Sequence, residues 1–176
     1  MPLPSKSTLF IEIQYASPAI QAVLSQQVSA NLIKKWVKAA SPANGQLTLR
    51  FVNVAEGKKL NFAFRKKDKA TNVLTFPYEF SKSQVHADII FCLPLLQKEA
   101  KEQGKTLKAH LAHLIVHGCL HAQAYDHETK KDAQMMEALE VQILKRLGFS
   151  NPYLDHFEVD CVDNSVVNSV VNSNSH

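Results

Sequence analysis

Long hydrophobic runs, paired cysteines and glycine- or proline-rich repeats are all missing from this 176-residue sequence. The longest apolar stretch, residues 89–96, is far short of the roughly 18 residues that a membrane-spanning helix needs. The three cysteines form no C-x-x-C pair, which argues against a disulfide scaffold and against a cysteine-rich zinc module. Lys6 precedes the first apolar stretch and Glu12 interrupts it, so no signal-peptide core forms. We therefore expect a globular protein of the cytoplasm.

Apolar residues make up 45% of the chain, enough to build the core of one ordinary domain. The charge is uneven, with a formal +9 over residues 1–110 and −5 over residues 111–176. Clustered lysines and arginines neutralise phosphates, so the basic part predicts a polyanionic partner, nucleic acid first. The alternative is that these cations only solvate the outer faces of helices.

Hydrophobic periodicity predicts strands interleaved with helices, and hence a single α/β (α+β) domain with a small mixed sheet. Alternating or apolar stretches predict about four strands, at residues 8–14, 46–54, 72–76 (closed by Pro77) and 86–92, the last in the centre of the sheet. Helical spacing predicts about five helices, at residues 18–40, 56–64, 94–101, 107–123 and 130–148. We assign residues 1–155 to the domain and residues 156–176, rich in Asn, Ser and Val, to a flexible C-terminal tail.

Three histidines in the segment HGCLHAQAYDH carry the chemical signal. His117 and His121 are four residues apart, so on a helix both imidazoles project from one face and can reach one zinc ion. His127 follows beyond the predicted helix end, where a turn in the chain can bring it to the same ion. Three imidazoles leave the fourth zinc position open, as in catalytic sites. We expect His110 and His113 to be surface or satisfied core residues, and Cys92 and Cys119 to be small apolar core residues.

The H-x3-H-x5-H spacing equals that of the metzincin metallopeptidases, which makes a peptidase an alternative. In those enzymes a glutamate follows the first histidine and acts as the general base, whereas here the residue is Gly118, which cannot accept a proton. Asp126 is the nearest carboxylate, and it could either orient a metal ligand or cap the following helix.

The same segment resembles the H-G-x-L-H-L-x-G-Y-D-H signature of the YbeY family of bacterial rRNA maturation factors, which are metal-dependent endoribonucleases. Residues 60–77 resemble a second block of that family, L-N-x-x-Y-R-x-x-D-x-P-T-D/N-V-L-S-F-P, and residues 87–89 and 136–148 resemble its G-D-I strand and its last helix. The matches run from about residue 8 to about residue 155. Ala124 departs from the pattern, because the family has glycine there. Alanine at that position requires either a strained positive-φ turn or a turn of another geometry.

The resemblance implies one Zn²⁺ per chain on His117, His121 and His127, and a role for Arg65 in catalysis or in contact with RNA. It also implies a single-strand-specific endoribonuclease that matures the 3′ end of small-subunit rRNA and serves ribosome quality control. The partners would be single-stranded RNA, rRNA and ribosomal particles, with no membrane and no DNA specificity. Two alternatives stay open: an RNA-binding ribosome-assembly factor with a mainly structural zinc, and a metallopeptidase.

Overall fold

Four strands form one mixed sheet in the computed structural model, which describes residues 8–41, 44–79 and 83–154. They are β1 (Thr8–Tyr15), β2 (Asn44–Val52), β3 (Val73–Glu79) and β4 (Val85–Cys92), in the spatial order β1-β2-β4-β3. The first, second and fourth strands are parallel, and β3 pairs antiparallel with β4 at an edge. This confirms the predicted α/β class, the four strands and the central place of β4. The predicted tail, residues 156–176, lies outside the described residues.

Six helices occur in the described ranges: α1 (Pro18–Ser25), α2 (Ala30–Ala40), α3 (Val54–Arg65), α4 (Leu93–Glu102), α5 (Leu107–Ala122) and α6 (Lys130–Arg146). The prediction of one continuous helix over residues 18–40 is wrong. The Ser29 hydroxyl accepts the backbone amide of Leu32 at 3.2 Å and begins a new helix. Because a serine at this position satisfies an otherwise unpaired amide, it starts a helix more readily than it continues one. That break accounts for six helices where about five were expected.

Strand β3 continues through Pro77, so the prediction that this proline closes the strand is wrong. Proline cannot donate a backbone hydrogen bond, and it is therefore tolerated mainly on edge strands. Among the described residues β3 pairs only with β4, which leaves its other side without a partner strand. The register shifts between Pro77 and Glu79, where the strand is irregular.

The main core lies on one face of the sheet and includes Leu47, Ile89 and Phe91, and α5 packs against β3 and β4. Helix α3 contributes Leu60 to a smaller apolar cluster with Val52, Leu74, Ile90 and Cys92. Both Cys92 and Cys119 are buried, as predicted. No helix in the described part of the chain combines the length and the hydropathy needed to cross a membrane.

Gly118 lets α5 approach the centre of the sheet closely. A Cβ added at this glycine would lie 3.0 Å from Cγ2 of Ile89 and 3.4 Å from its Cδ1. Ile89 is fully buried, so it has little room to move away. The position therefore faces the packed sheet, and a glutamate side chain has no space there. The packing at position 118 therefore leaves no room for the glutamate that acts as general base in the metallopeptidases, which counts against the peptidase alternative.

Replacing Gly118 with alanine is expected to destabilise the protein by about 1 kcal/mol. Overpacking against Ile89 costs about 1–3 kcal/mol, and the higher helix propensity of alanine offsets about 1 kcal/mol of that cost. The matched control is Gly57→Ala in α3, where a Cβ would meet Cys92 Sγ at an ordinary 3.5 Å. There we expect a gain of about 0.5–1 kcal/mol. Urea denaturation measures both free energies of unfolding, and a stabilised Gly118→Ala variant would contradict the prediction.

Candidate metal centre

Helix α5 and the loop that follows it bring three imidazoles together. His117 and His121 project from one face of the helix, with ring centroids 4.6 Å apart. The ring of His127 lies 4.9 Å from His121 and 6.0 Å from His117. One ring nitrogen from each residue lies within 4.8 Å of the other two. This is the arrangement that can hold one metal ion, and it joins the three residues singled out in the sequence.

The turn at the end of α5 returns the chain toward the helix. The Ala124 amide donates to the His121 carbonyl at 3.0 Å, and the Tyr125 amide donates to the Leu120 carbonyl at 3.1 Å. Ala124 has a φ of 70°, which is the left-handed region that favours glycine. Of the two possibilities left open by the sequence, the chain therefore takes the strained positive-φ turn.

Replacing Ala124 with glycine is expected to stabilise the protein by about 0.5–1 kcal/mol. The change relieves a backbone strain of about 1–2 kcal/mol in the folded state. Glycine also makes the unfolded chain more flexible, which lowers the free energy of unfolding by about 0.4–1 kcal/mol. The matched control is Ala138→Gly, at an exposed position inside α6, where glycine should cost about 1 kcal/mol. Thermal unfolding of the metal-free proteins measures both changes, and a destabilised Ala124→Gly variant would refute the expectation.

The charge state of His121 suits a metal ligand. Burial lowers the pKa of His121 to about 4, and the neighbouring His117 and His127 contribute to that shift. The His121 imidazole is therefore neutral at pH 7, as a metal ligand must be. A neutral imidazole presents a free lone pair, and three such groups form the donor set that zinc accepts. By its chemistry and its spacing, the site fits a zinc ion.

A buried carboxylate from α6 lies behind the histidines. Oε1 of Glu140 is 2.6 Å from Nδ1 of His117, and Oε2 is 2.9 Å from Nε2 of His113. The Tyr153 hydroxyl also donates to Oε2. Burial alone would raise the pKa of Glu140, but the hydrogen bonds from these three side chains outweigh it and lower the pKa to about 2. Glu140 is therefore ionised at pH 7.

Arg65 lies on the wall of the cleft into which the three imidazoles open. The cleft has a volume of about 490 Å³. Its other lining residues come mainly from β3, from the loop before it and from the turn after α5: Thr71, Asn72, Val73, Thr75, Pro77, Ala124, Tyr125 and Asp126. Helix α3 ends just beyond Arg65, because Lys66 takes a left-handed conformation and its amide donates to the Phe62 carbonyl at 3.0 Å. The structure thus brings Arg65 and the histidines to one cavity.

Asp126 does not cap α6, one of the two roles considered for it in the sequence, and it contacts the third histidine through the backbone and not through the imidazole. Its Oδ1 accepts the backbone amide of the adjacent His127 at 2.7 Å. The cap of α6 is Thr129, whose hydroxyl accepts the Asp132 amide at 3.1 Å. In the described part of the chain, Asp126 makes no hydrogen bond to an imidazole; it fixes the backbone of the third histidine instead.

Sequence reasoning missed Glu140 and Tyr153. The available signal for Glu140 was its position on the apolar face of α6, between Met136 and Ile143, where a charge calls for a partner. Tyr153 follows the last helix, where no periodic pattern marks it. His113 is a satisfied histidine, as expected, through its contact with Glu140. His110 is satisfied only in part: its Nε2 contacts Glu99 at 2.8 Å, whereas its buried Nδ1 has no hydrogen-bond partner among the described residues.

Cys119 lies between the two helical histidines in sequence but on the opposite side of α5. Its side chain is fully buried in the main core. Burial raises the pKa of the Cys119 thiol to about 12. The thiol therefore stays protonated at neutral pH and takes no part in the histidine cluster.

Comparison with known proteins finds one family. The model of the family described as "Endoribonuclease YbeY" matches residues 11–148. A protein named "Endoribonuclease YbeY" from Polynucleobacter asymbioticus is 69% identical over 152 residues, covering 86% of this chain and 98% of the relative. The protein of that name from Herminiimonas arsenicoxydans is 49% identical over 157 residues, covering 85% and 98%. A solution structure of a protein from Thermotoga maritima is 24% identical in sequence and superimposes with a TM-score of 0.52. The match covers 82% of this chain and 99% of the other chain, and it supports the fold alone.

Proposed function

The chain belongs to the YbeY family of endoribonucleases, and we propose that it cleaves single-stranded ribosomal RNA with a zinc ion on His117, His121 and His127. The observation that carries the proposal is the shared cleft, in which a guanidinium and three imidazoles line one cavity. A phosphodiester placed there would meet the cation and the metal site together. This combination suits phosphodiester cleavage, because negative charge develops on phosphoryl oxygens during the reaction.

Arg65 is the proposed phosphate-binding residue. Its planar guanidinium can donate two parallel hydrogen bonds to two phosphate oxygens, which fixes the phosphate and offsets the developing charge. In the described residues Arg65 makes no ion pair, so its charge is available to a substrate. A zinc ion on three imidazoles supplies Lewis-acid polarisation of a phosphoryl oxygen when bound.

The loop beyond Arg65 favours a polyanionic substrate such as RNA. Lys66, Lys67 and Lys69 are exposed and, like Arg65, form no ion pair in the described ranges. Phosphate contacts from such side chains are independent of sequence and weaken with salt. The cleft, of about 490 Å³, can admit a nucleotide of an extended strand. Selectivity for single strands is part of the proposal and rests on the family resemblance. Maturation of rRNA, ribosome quality control and action on ribosomal particles in the cytoplasm are part of the proposal and rest on the family resemblance.

Cleavage of an end-labelled single-stranded RNA by metal-analysed protein tests the proposal. The untreated protein should carry about one zinc per chain and cut the strand. The same protein stripped by a chelator should not cut, and adding zinc back should restore cleavage. The control substrate is the same RNA annealed to its complement, which should resist. Equal cleavage before and after chelation, at a verified zero metal content, would refute a metal-dependent nuclease.

A further inference from the structure

Glu140 is a buried carboxylate whose position the proposed reaction does not by itself explain. The side chain is only 1% exposed, although it lies on a helix with ample solvent-facing positions. A buried carboxylate is costly unless hydrogen bonds satisfy both its oxygens. Here both are satisfied, and all three donors belong to histidine or tyrosine side chains near the proposed metal site.

The contact with His117 decides which nitrogen of that ring is free. Oε1 of Glu140 lies 2.6 Å from Nδ1 of His117, and we assign the proton of this contact to the imidazole, because the two carboxylate oxygens are surrounded by three side chains that can donate. The other nitrogen, Nε2, is then unprotonated and can bind a metal. Outer carboxylates of this kind fix the tautomer and orientation of a ligating histidine and raise its basicity.

Tyr153 contacts the second oxygen of the Glu140 carboxylate. Its hydroxyl donates to Oε2, the oxygen that His113 also contacts, and the Tyr153 hydroxyl lies 3.3 Å from the His113 ring nitrogen. The segment that carries Tyr153 is anchored independently, because Lys105 Nζ donates to the Pro152 carbonyl at 2.9 Å. The Tyr153 amide also donates to Oδ1 of Asn151 at 2.9 Å.

We propose that Glu140 and Tyr153 are positioning residues of the metal centre. Glu140 fixes the His117 ring with Nε2 toward the ion, and Tyr153 fixes the carboxylate that does so. The proposal rests on the proposed function, since it assumes that His117 is a metal ligand. It extends the centre from α5 and its loop to α6 and to the segment after α6.

Zinc affinity, measured by competition with a chromophoric chelator at pH 7, tests the proposal without using cleavage. Glu140→Gln should weaken zinc binding about 10- to 100-fold, the usual cost of losing an outer partner of a ligand. Tyr153→Phe removes one hydroxyl further out and should weaken binding by a smaller factor, about 3- to 10-fold.

Two variants outside the centre serve as matched controls. Glu99→Gln alters a half-buried carboxylate that contacts His110 at 2.8 Å. Tyr78→Phe removes an exposed tyrosine hydroxyl that donates to Asp88 at 2.5 Å. Both should bind zinc like the unaltered chain, because neither carboxylate touches a proposed ligand.

A spectroscopic readout separates positioning from a general structural effect. Nitrogen-15 NMR of the metal-free protein should show His117 as the Nδ1-protonated tautomer, and Glu140→Gln should shift it toward the other tautomer. Tyr153→Phe keeps the proposal testable if Glu140→Gln fails to fold. Zinc affinity unchanged in both variants would overturn the proposal alone. An unaltered chain that binds no zinc would overturn the proposed function as well.

Discussion

Replacing His121 with alanine is expected to abolish RNA cleavage and leave the chain folded. The substitution removes one of three proposed ligands, and losing about 4 kcal/mol of metal stabilisation of the transition state corresponds to roughly a thousandfold in rate. The fold should persist, because α5 is held by its apolar residues against the sheet, and the imidazole of His121 is only half-buried. Cleavage of end-labelled RNA, zinc content and circular dichroism measure the three properties on one preparation.

The same substitution separates the nuclease from the RNA-binding assembly factor with a structural zinc. A structural zinc contributes folding free energy outright, so that alternative predicts loss of the fold in His121→Ala. The control is His86→Ala, at an exposed position on β4 away from the cleft, which should retain zinc and activity. If His121→Ala and the unaltered chain cut equally, the activity comes from a contaminant and the assembly factor is the better account.

Replacing Arg65 with alanine is expected to lower kcat/KM about 100- to 1000-fold without changing the zinc content. This is the range seen when one preorganised donor to a developing negative charge is removed. Arg65→Lys should recover little, because a lysine ammonium supplies charge but not the two parallel hydrogen bonds of a guanidinium. Initial rates over a range of RNA concentrations measure the effect.

Lys67→Ala is the matched control for Arg65, since it removes an exposed cation two residues away that does not line the cleft. It should weaken RNA binding modestly, and the loss should shrink as salt is raised. A similar modest, salt-sensitive loss in Arg65→Ala would show that Arg65 is only one more non-specific phosphate contact.

The parts of the fold that sequence predicts well are those set by local periodicity. The helix that carries His117 and His121 was predicted within one residue of its end, because its apolar spacing is continuous. The break at Ser29 was missed, because apolar spacing continues across it and only a side-chain cap interrupts the helix. The passage of β3 through Pro77 was missed because tolerance of proline depends on which strand lies at the edge.

In the candidate site too, local spacing predicts some residues, whereas tertiary contacts place the others. Spacing alone points to His117, His121 and His127, since helical geometry places the first two together and a short loop can return the third. The placement of Glu140 depends on how α6 packs against α5, through contacts between residues 23 and 27 positions apart. Tyr153 depends in turn on how the segment after α6 folds back. No local pattern encodes either contact.

The burial of Cys119 on the face of α5 away from the histidines has a consequence for oxidative stress. Hydrogen peroxide and alkylating reagents attack the thiolate, and a thiol with a pKa of about 12 offers almost none at neutral pH. Cys92 is also buried, with its pKa raised. Neither thiol of the described chain is therefore positioned for redox control, and imidazoles, which resist such oxidants better than thiolates, are left as the proposed ligands. The proposed zinc centre, built in this way, would keep its donor set under conditions that strip metal from cysteine sites.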